Sequence, residues 1–468
     1  MKTLIHGGLL IDPANHVRAY LNVLLEDGKV AAVTSGMPEA DQYIDATDKI
    51  VTPGFIDIHM HEDPVGEDGK IINDEKAIFQ CMLRMGVTTV LGGQCGDNVY
   101  DPGDYLDLVE RDGAPVNVAM LAGHGYYREV CGVTDKYGPA SSQQRADMAA
   151  AIGKALSRGC FGVSYGIRYV PGIDMDELTE TAEPCRQAGK LIAAHIRSDA
   201  GEVFDAAKEF MDTGVKIGIP VQLSHIGSMA GFGQMDEFLQ MVDEYKMNGL
   251  DVSCDCYPYY AYSTFLGSTT YDDGWMNRYG CDYDVVELCE GEYRGQRCTE
   301  EIFHKVRKEF PGCITVCHVM NHDDIDNAFR HPNVMLASDG LMNNGQGHPR
   351  AAGAFPRLYA EFVRPGKLDL YKAVEMMPAA PAAKLGLASK GRLNVGADAD
   401  VVIFDLETIQ DGATFAEPAL SPKGIDYVFI GGEIAAKDCQ VVQKNLGKVI
   451  RKFSETVRHE LQTEINTK

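Results

Sequence analysis

Phe55-Ile56-Asp57-Ile58-His59-Met60-His61 opens as an apolar run and closes on two imidazoles. In a strand alternate side chains share a face, so both rings point the same way. A lone His-x-His arises often by chance. The stretches around it carry the same design. Apolar runs recur at 87–95, 116–123, 161–166, 191–197, 221–225, 252–257, 314–318 and 334–339. Amphipathic stretches at 142–157 and 174–188 lie between them and predict helices. Continuous apolar strands alternating with helices mean a parallel sheet covered on both faces. Nine candidate strands are one more than a (β/α)8 barrel holds. The run at 314–318 is the expected outsider, because it follows the least regular segment, 265 to about 311, which carries the only tryptophan, Trp275.

The flanks differ in texture. Residues 2–51 predict short β-strands separated by Gly7-Gly8, Asp27-Gly28 and Ser35-Gly36, and the pattern returns from Gly391 to about Val442. The organisation expected is a small β-domain shared between residues 1–52 and 391–445. Between these lies an α/β body at 53–390 with an insertion at about 265–311, and a charged helical tail follows at 446–468.

The chain has 468 residues, 45% hydrophobic and 24% charged, which suits a globular protein with a sizeable core. Its formal net charge of −25 excludes nucleic acid and anionic membranes as natural partners. Thirteen scattered cysteines form no small-domain disulfide framework, the start lacks a signal-peptide pattern, and no apolar run of about 18 residues appears. The expectation is a cytoplasmic protein with reduced thiols, acting on a small molecule; its oligomeric state is left open.

The ends of the apolar runs hold the chemistry. Beside His59 and His61 stand Cys95, His195, His225 and Asp339, each at the end of a different run. Imidazole, thiolate and carboxylate at several strand ends suit a borderline metal such as zinc better than they suit packing. His124, also at a run end, reads first as a core or supporting histidine. Cys254-Asp255-Cys256 is a single Cys-x-Cys with no partner pair, too little for a structural zinc or redox site.

Taken together, these motifs resemble the amidohydrolase superfamily, and within it the N-acyl-D-amino-acid deacylases (D-aminoacylases). The likeness is carried by the run from Pro53 to His61, Gly86-Val87-Thr88-Thr89-Val90 leading to Cys95-Gly96, His195-Ile196-Arg197 and Ser224-His225. It continues through Tyr257-Pro258-Tyr259, Ser338-Asp339-Gly340, His348-Pro349-Arg350, Phe355-Pro356-Arg357 and the segment from Gly396 to Val402. The resemblance implies a (β/α)8 barrel with a small β-sandwich domain built from both chain ends. It also implies one or two Zn²⁺ per chain. His59, His61 and Asp339 would hold one position, His195 and His225 the other, with Cys95 between them. Asp339 would take a proton from water and return it to the leaving nitrogen of an amide. Arg350 would grip the substrate carboxylate, and Tyr257, Ser263, Tyr169 and Arg168 would contact substrate.

One departure matters. The best-known pattern of the family places a histidine and then a lysine after the metal-binding histidine of the Ser-His pair, whereas here the sequence runs Ser224-His225-Ile226-Gly227-Ser228. The missing cation puts acidic substrates in doubt, and Arg168 is the candidate replacement. The alternatives are a cyclic amidase of the hydantoinase or dihydroorotase kind and a non-catalytic scaffold on the same frame. The first normally bridges its metals with a carboxylated lysine, and no lysine ends a central run; the second typically loses metal ligands.

Overall fold

The computed structural model describes residues 1–453. Its centre is a set of parallel strands with helices between them. Phe55–Asp57 pairs with Val87–Gly92, and that strand pairs with Asn117–Met120. The chain resumes at Ala122–Gly123, which pairs with Gly162–Gly166. Leu191–His195, Val221–Leu223, Val252–Cys256 and Val334–Leu336 follow in that spatial order. Beyond the last strand, Asp339 N donates to His59 O at 2.8 Å and His61 N to Gly340 O at 2.9 Å, so its end returns to the first. Strands such as Val87–Gly92 and Leu191–His195 are buried along their whole length, which is why they read as unbroken apolar runs rather than alternating ones.

The helices begin and end where local chemistry dictates. Ser141 and Gln144 form a reciprocal capping box at the start of Ser142–Ser157. Asp174 caps Met175–Ala188, which ends at Gly189 in the left-handed region.

The run at 314–318 lies outside the parallel array. Ile314–Cys317 pairs antiparallel with both Tyr262–Phe265 and Val286–Leu288. The irregular segment thus forms a small three-stranded sheet, carrying the helices Trp275–Tyr279 and Glu300–Glu309, beside the C-terminal ends of the parallel strands.

The two chain ends meet. Val401–Phe404 lies antiparallel to Ile50–Pro53 within a seven-stranded sheet that also holds Leu9–Asp12 and Val17–Tyr20, two strands that the sequence pattern left unread. A four-stranded sheet contains Lys2–His6, Asn22–Glu26, Lys29–Thr34 and Gln42–Asp45. Ile5, Leu25, Val30, Val51, Val401 and Phe429 from both sheets share one apolar cluster.

The helical tail expected at 446–468 is not found over residues 446–453; residues 454–468 lie outside the described residues. Residues 446–453 run extended instead. Gly447 bridges Ala114 and Val449 bridges Val118, with Val118 N donating to Lys448 O at 2.9 Å and Ile450 N to Val118 O at 2.8 Å. Charge pattern suggested a helix, but the buried backbone around Ala114–Val118 needs partners and only extended chain supplies them. Gly447 lies so close to Val116 O that a Cβ would collide.

Candidate metal centre

Six side chains from five strand ends converge beside the three-stranded sheet. Ligand atoms of His59, His61, Cys95 and Asp339 all lie within 4.8 Å of one another, and so do those of Cys95, His195 and His225. Cys95 belongs to both groups. Its Sγ lies 3.5 Å from His59 Nε2 and 3.4 Å from His225 Nε2, while Asp339 Oδ1 lies 3.4 Å from both His59 Nε2 and His61 Nε2.

Three of these residues end their strands in the left-handed region: Cys95 at φ 55°, His225 at φ 36° and Asp339 at φ 47°. For non-glycine residues each such conformation costs about 1–3 kcal/mol and persists only where its surroundings over-determine it. Here they do. Asp255 Oδ1 accepts from His225 N at 2.7 Å, and His59 O accepts from Asp339 N. Next to Cys95, Gly96 N donates to Ser164 Oγ at 3.0 Å; a Cβ on Gly96 would stand 2.6 Å from Gly166 N. Each kink turns a side chain off its strand and into the same volume.

The electrostatics follow from crowding. Burial opposes the charge on Asp339, but Arg350, His225, His59 and His61 overcome it and hold the carboxylate well below its ordinary range. Burial likewise opposes a thiolate at Cys95, and His59 and His225 outweigh it, so the thiol ionises well below its usual range. Burial and His225 push His195 down to about 4. At His61, burial is outweighed by Asp339 and Cys95, which raise it to about 10.

Do these residues fit a metal? Ligands about a tetrahedral zinc, with bonds of about 2.0–2.3 Å, stand roughly 3.3–3.6 Å apart. The 3.4–3.5 Å separations here match that spacing, and the N···O contacts are long for hydrogen bonds. The donor set of imidazoles, thiolate and carboxylate is the one zinc prefers. The residues fit.

Supporting residues went unread in the sequence. Asp255 holds His225 N and Gln222 Nε2 and lies 3.3 Å from His59 Nδ1, so one carboxylate braces a histidine of each group. Asp57 accepts from His59 N and Ser338 N, both at 3.1 Å. Glu62 accepts from Gly93 N at 2.7 Å, at the head of the Cys95 turn. The signal for Asp255 was present: alternation in Cys254-Asp255-Cys256 that buries both thiols on one face sends the carboxylate to the other. His124 is a core residue, fully buried and 3.1 Å from Glu177 Oε1.

A narrow cavity of about 20 Å³ adjoins the cluster, lined by His195, His225 and Asp339 together with Tyr169 and Ser263. Arg350 lies behind Asp339, with Nη2 2.9 Å from Oδ2 and Nε donating to Asp339 O at 2.7 Å. Its guanidinium stacks over Tyr257, 4.4 Å from the ring centre. Two of its three nitrogens are therefore engaged by Asp339, so the fork is not free for bidentate capture, and Nη1 alone is buried without a partner. Tyr257, Arg350 and Arg168 do not line this cavity. Arg168 donates from Nη2 to Thr270 O at 3.4 Å.

Known proteins resemble this chain in sequence and in fold. Two amidohydrolase family models match residues 50–217 and 308–436. An N-acyl-D-glutamate deacylase from Alcaligenes xylosoxydans xylosoxydans is 32% identical, over 92% of this chain and 93% of that protein, and a D-aminoacylase from the same organism is 28% identical over 96% and 97%. The structure of N-acyl-D-glutamate deacylase from Bordetella bronchiseptica, complexed with zinc and a phosphonate mimic of the tetrahedral intermediate, superposes with a TM-score of 0.85 at 28% identity, covering 96% of this chain and 99% of that one. A D-aminoacylase structure described for its binuclear metal centre gives 0.86 at 27%, with the same coverage. L-hydantoinase from Arthrobacter aurescens, at 18% identity and a TM-score of 0.65 over 96% of this chain and 99% of that one, shares the fold alone.

Proposed function

This chain belongs to the amidohydrolases, in the branch of the N-acyl-D-amino-acid deacylases, and from that premise we propose that it hydrolyses the amide of an N-acyl-D-amino acid with zinc held by His59, His61, Cys95, His195, His225 and Asp339. The observation that carries this reading is Cys95 Sγ, shared between both ligand groups at 3.4–3.5 Å. When bound, zinc lowers the pKa of a water ligand to about 7 and polarises a carbonyl oxygen.

The chain's own groups do the rest. Arg350 Nη2 fixes Asp339 Oδ2, leaving Oδ1 toward the cluster and the cavity. Held ionised, Asp339 accepts a proton from the attacking water and delivers it to the amide nitrogen, which leaves only once protonated. Arg350 is buried behind Asp339 and outside the cavity lining, so its role is to hold and charge-balance Asp339 rather than to clamp substrate. Tyr169, 4.6 Å ring to ring from His195, and Ser263 wall the cavity; Tyr257 orients Arg350 from beneath. Arg168 braces the wall through Thr270 rather than contacting substrate.

The same reading extends to the frame. The parallel strands, eight when Asn117–Met120 and Ala122–Gly123 count as one interrupted strand, are linked from Gly340 back to His61 and form a (β/α)8 barrel within residues 53–390, and the sheets of residues 1–52 and 391–445 form a β-sandwich. Thirteen free thiols support a cytoplasmic location, and the charge of −25 supports a small-molecule partner rather than nucleic acid.

The test is metal analysis with hydrolysis of N-acetyl-D- and N-acetyl-L-amino acids. One or two zinc ions per chain and D-selective release of amine are expected. Asp339→Asn should retain the fold and lower kcat by about 10²–10⁴-fold; retained turnover would remove Asp339 as the proton carrier.

A further inference from the structure

The far end of the cavity is built from residues that no metal needs. Asp199, Tyr279, Thr270, Met229 and Tyr262 close it. Asp199 comes from the turn after Leu191–His195, and Tyr279 ends the helix Trp275–Tyr279 carried by the segment between the antiparallel strands.

Asp199 is 2% exposed and both its oxygens are engaged. Tyr279 Oη donates to Oδ2 at 2.7 Å, and Arg278 Nε stands 2.7 Å from Oδ1. Arg278 does not line the cavity: its guanidinium stacks on Tyr279, 4.8 Å from the ring centre, and donates to Thr270 O at 2.7 Å. The carboxylate thus faces the cavity while its counter-charge is held behind the wall. Among the described residues, no lysine or arginine lines this space.

Around Asp199 the wall is polar but uncharged. Ser263 Oγ and Thr270 Oγ1 are buried, line the cavity and have no hydrogen-bond partner among the described residues. Buried hydroxyls of this kind are costly unless something bonds to them.

Resting on the deacylase reading above, we propose that this end of the cavity is the substrate side-chain subsite, that it takes small, uncharged, hydrogen-bonding side chains, and that Asp199 excludes carboxylate side chains. A second carboxylate placed here meets Asp199 in a dry site, where like charges repel far more strongly than in water. A cationic side chain finds both Asp199 oxygens taken. A side-chain hydroxyl or amide satisfies the orphan hydroxyls.

The experiment compares isosteric pairs on the zinc-loaded full chain: N-acetyl-D-asparagine against N-acetyl-D-aspartate, and N-acetyl-D-glutamine against N-acetyl-D-glutamate, with N-acetyl-D-serine, N-acetyl-D-alanine and N-acetyl-D-lysine alongside. The amide member of each pair is expected to exceed the acid at least tenfold in kcat/KM, with serine and asparagine above lysine. In Asp199→Asn the amide-to-acid ratio should fall at least fivefold, through gain on the acid as Arg278 loses its partner. Should that variant not fold, Thr270→Val provides the second reading: it should lower kcat/KM for serine relative to alanine. Acids cleaved as well as their amides, lysine preferred, or a ratio unmoved by Asp199→Asn would each overturn the proposal while leaving the deacylase reading intact. Failure to cleave any N-acyl-D-amino acid would instead remove that reading, and this one with it.

Discussion

Cys95 joins the two ligand groups through a single sulfur atom, and its backbone is kinked to do so. Cys95→Ala removes a donor from both groups at once. Outer-shell changes at zinc sites typically cost 10–100-fold in affinity, and loss of a shared ligand should exceed that. The expected outcome is zinc content reduced below that of the parent after dialysis, with turnover lower by roughly 10²-fold or more; metal analysis and kcat on the same preparation check it. Cys95→Ser separates charge from shape, because a neutral hydroxyl cannot replace a thiolate that His59 and His225 hold ionised. All six clustered residues were legible as candidate ligands in the sequence because each ends an apolar run, a position set by strand periodicity. Arg350 was legible as a residue but its posture was not: that two of its nitrogens turn on Asp339 depends on where the helix Arg350–Leu358 starts relative to a strand end, a tertiary relation that residue types do not encode.

At the scale of elements, the strand Val252–Cys256 does two jobs with one period. Cys254 and Cys256 pack into the apolar core, and Asp255 faces the site. Asp255→Asn keeps the shape but surrenders an acceptor that serves His225 N and stands by His59 Nδ1. Zinc affinity, measured by competition with a chelator, should fall by about 10–100-fold, and kcat of the fully loaded variant should fall less than in Asp339→Asn. Equal affinity would show that the strand, not the carboxylate, positions the histidines. The reading of Cys254-Asp255-Cys256 considered only its thiols; the alternation that places Asp255 opposite them was there to be used. Other misses have a physical origin too. Leu9–Asp12 and Val17–Tyr20 are strands stabilised by pairing with Ile50–Pro53 and with each other, not by their own pattern.

The whole molecule is tied together by its termini. Residues 446–453 run along Ala114–Val118, and Arg451 Nη2 lies 2.6 Å from Asp107 and 3.0 Å from Glu110 while its Nη1 donates to Arg158 O at 2.6 Å. Truncation after Asn445 removes those contacts and leaves the Val118 backbone N–H and C=O unpaired, although Asp107 keeps Arg158. The melting temperature of the truncated chain should drop by several degrees while D-selective turnover persists below it, since no ligand comes from this segment. An unchanged melting temperature would make the segment a passive cover. Charge composition pointed to a helix here because helices and exposed extended chains share polar residues, and only the partner strand decides between them.

The pairing of Val401–Phe404 with Ile50–Pro53 also sets a timetable for synthesis. About 350 residues separate the two strands, so at roughly 5–20 residues per second the ribosome takes on the order of 20–70 s to deliver the second after the first. Through that interval the nascent chain presents Ile50–Pro53 with one open edge, and Val51 shares with Ile5, Val23 and Val30 a core that is still missing its later members. Chaperone demand in this protein therefore belongs to its first fifty residues, and it ends only when the last sixty or so emerge.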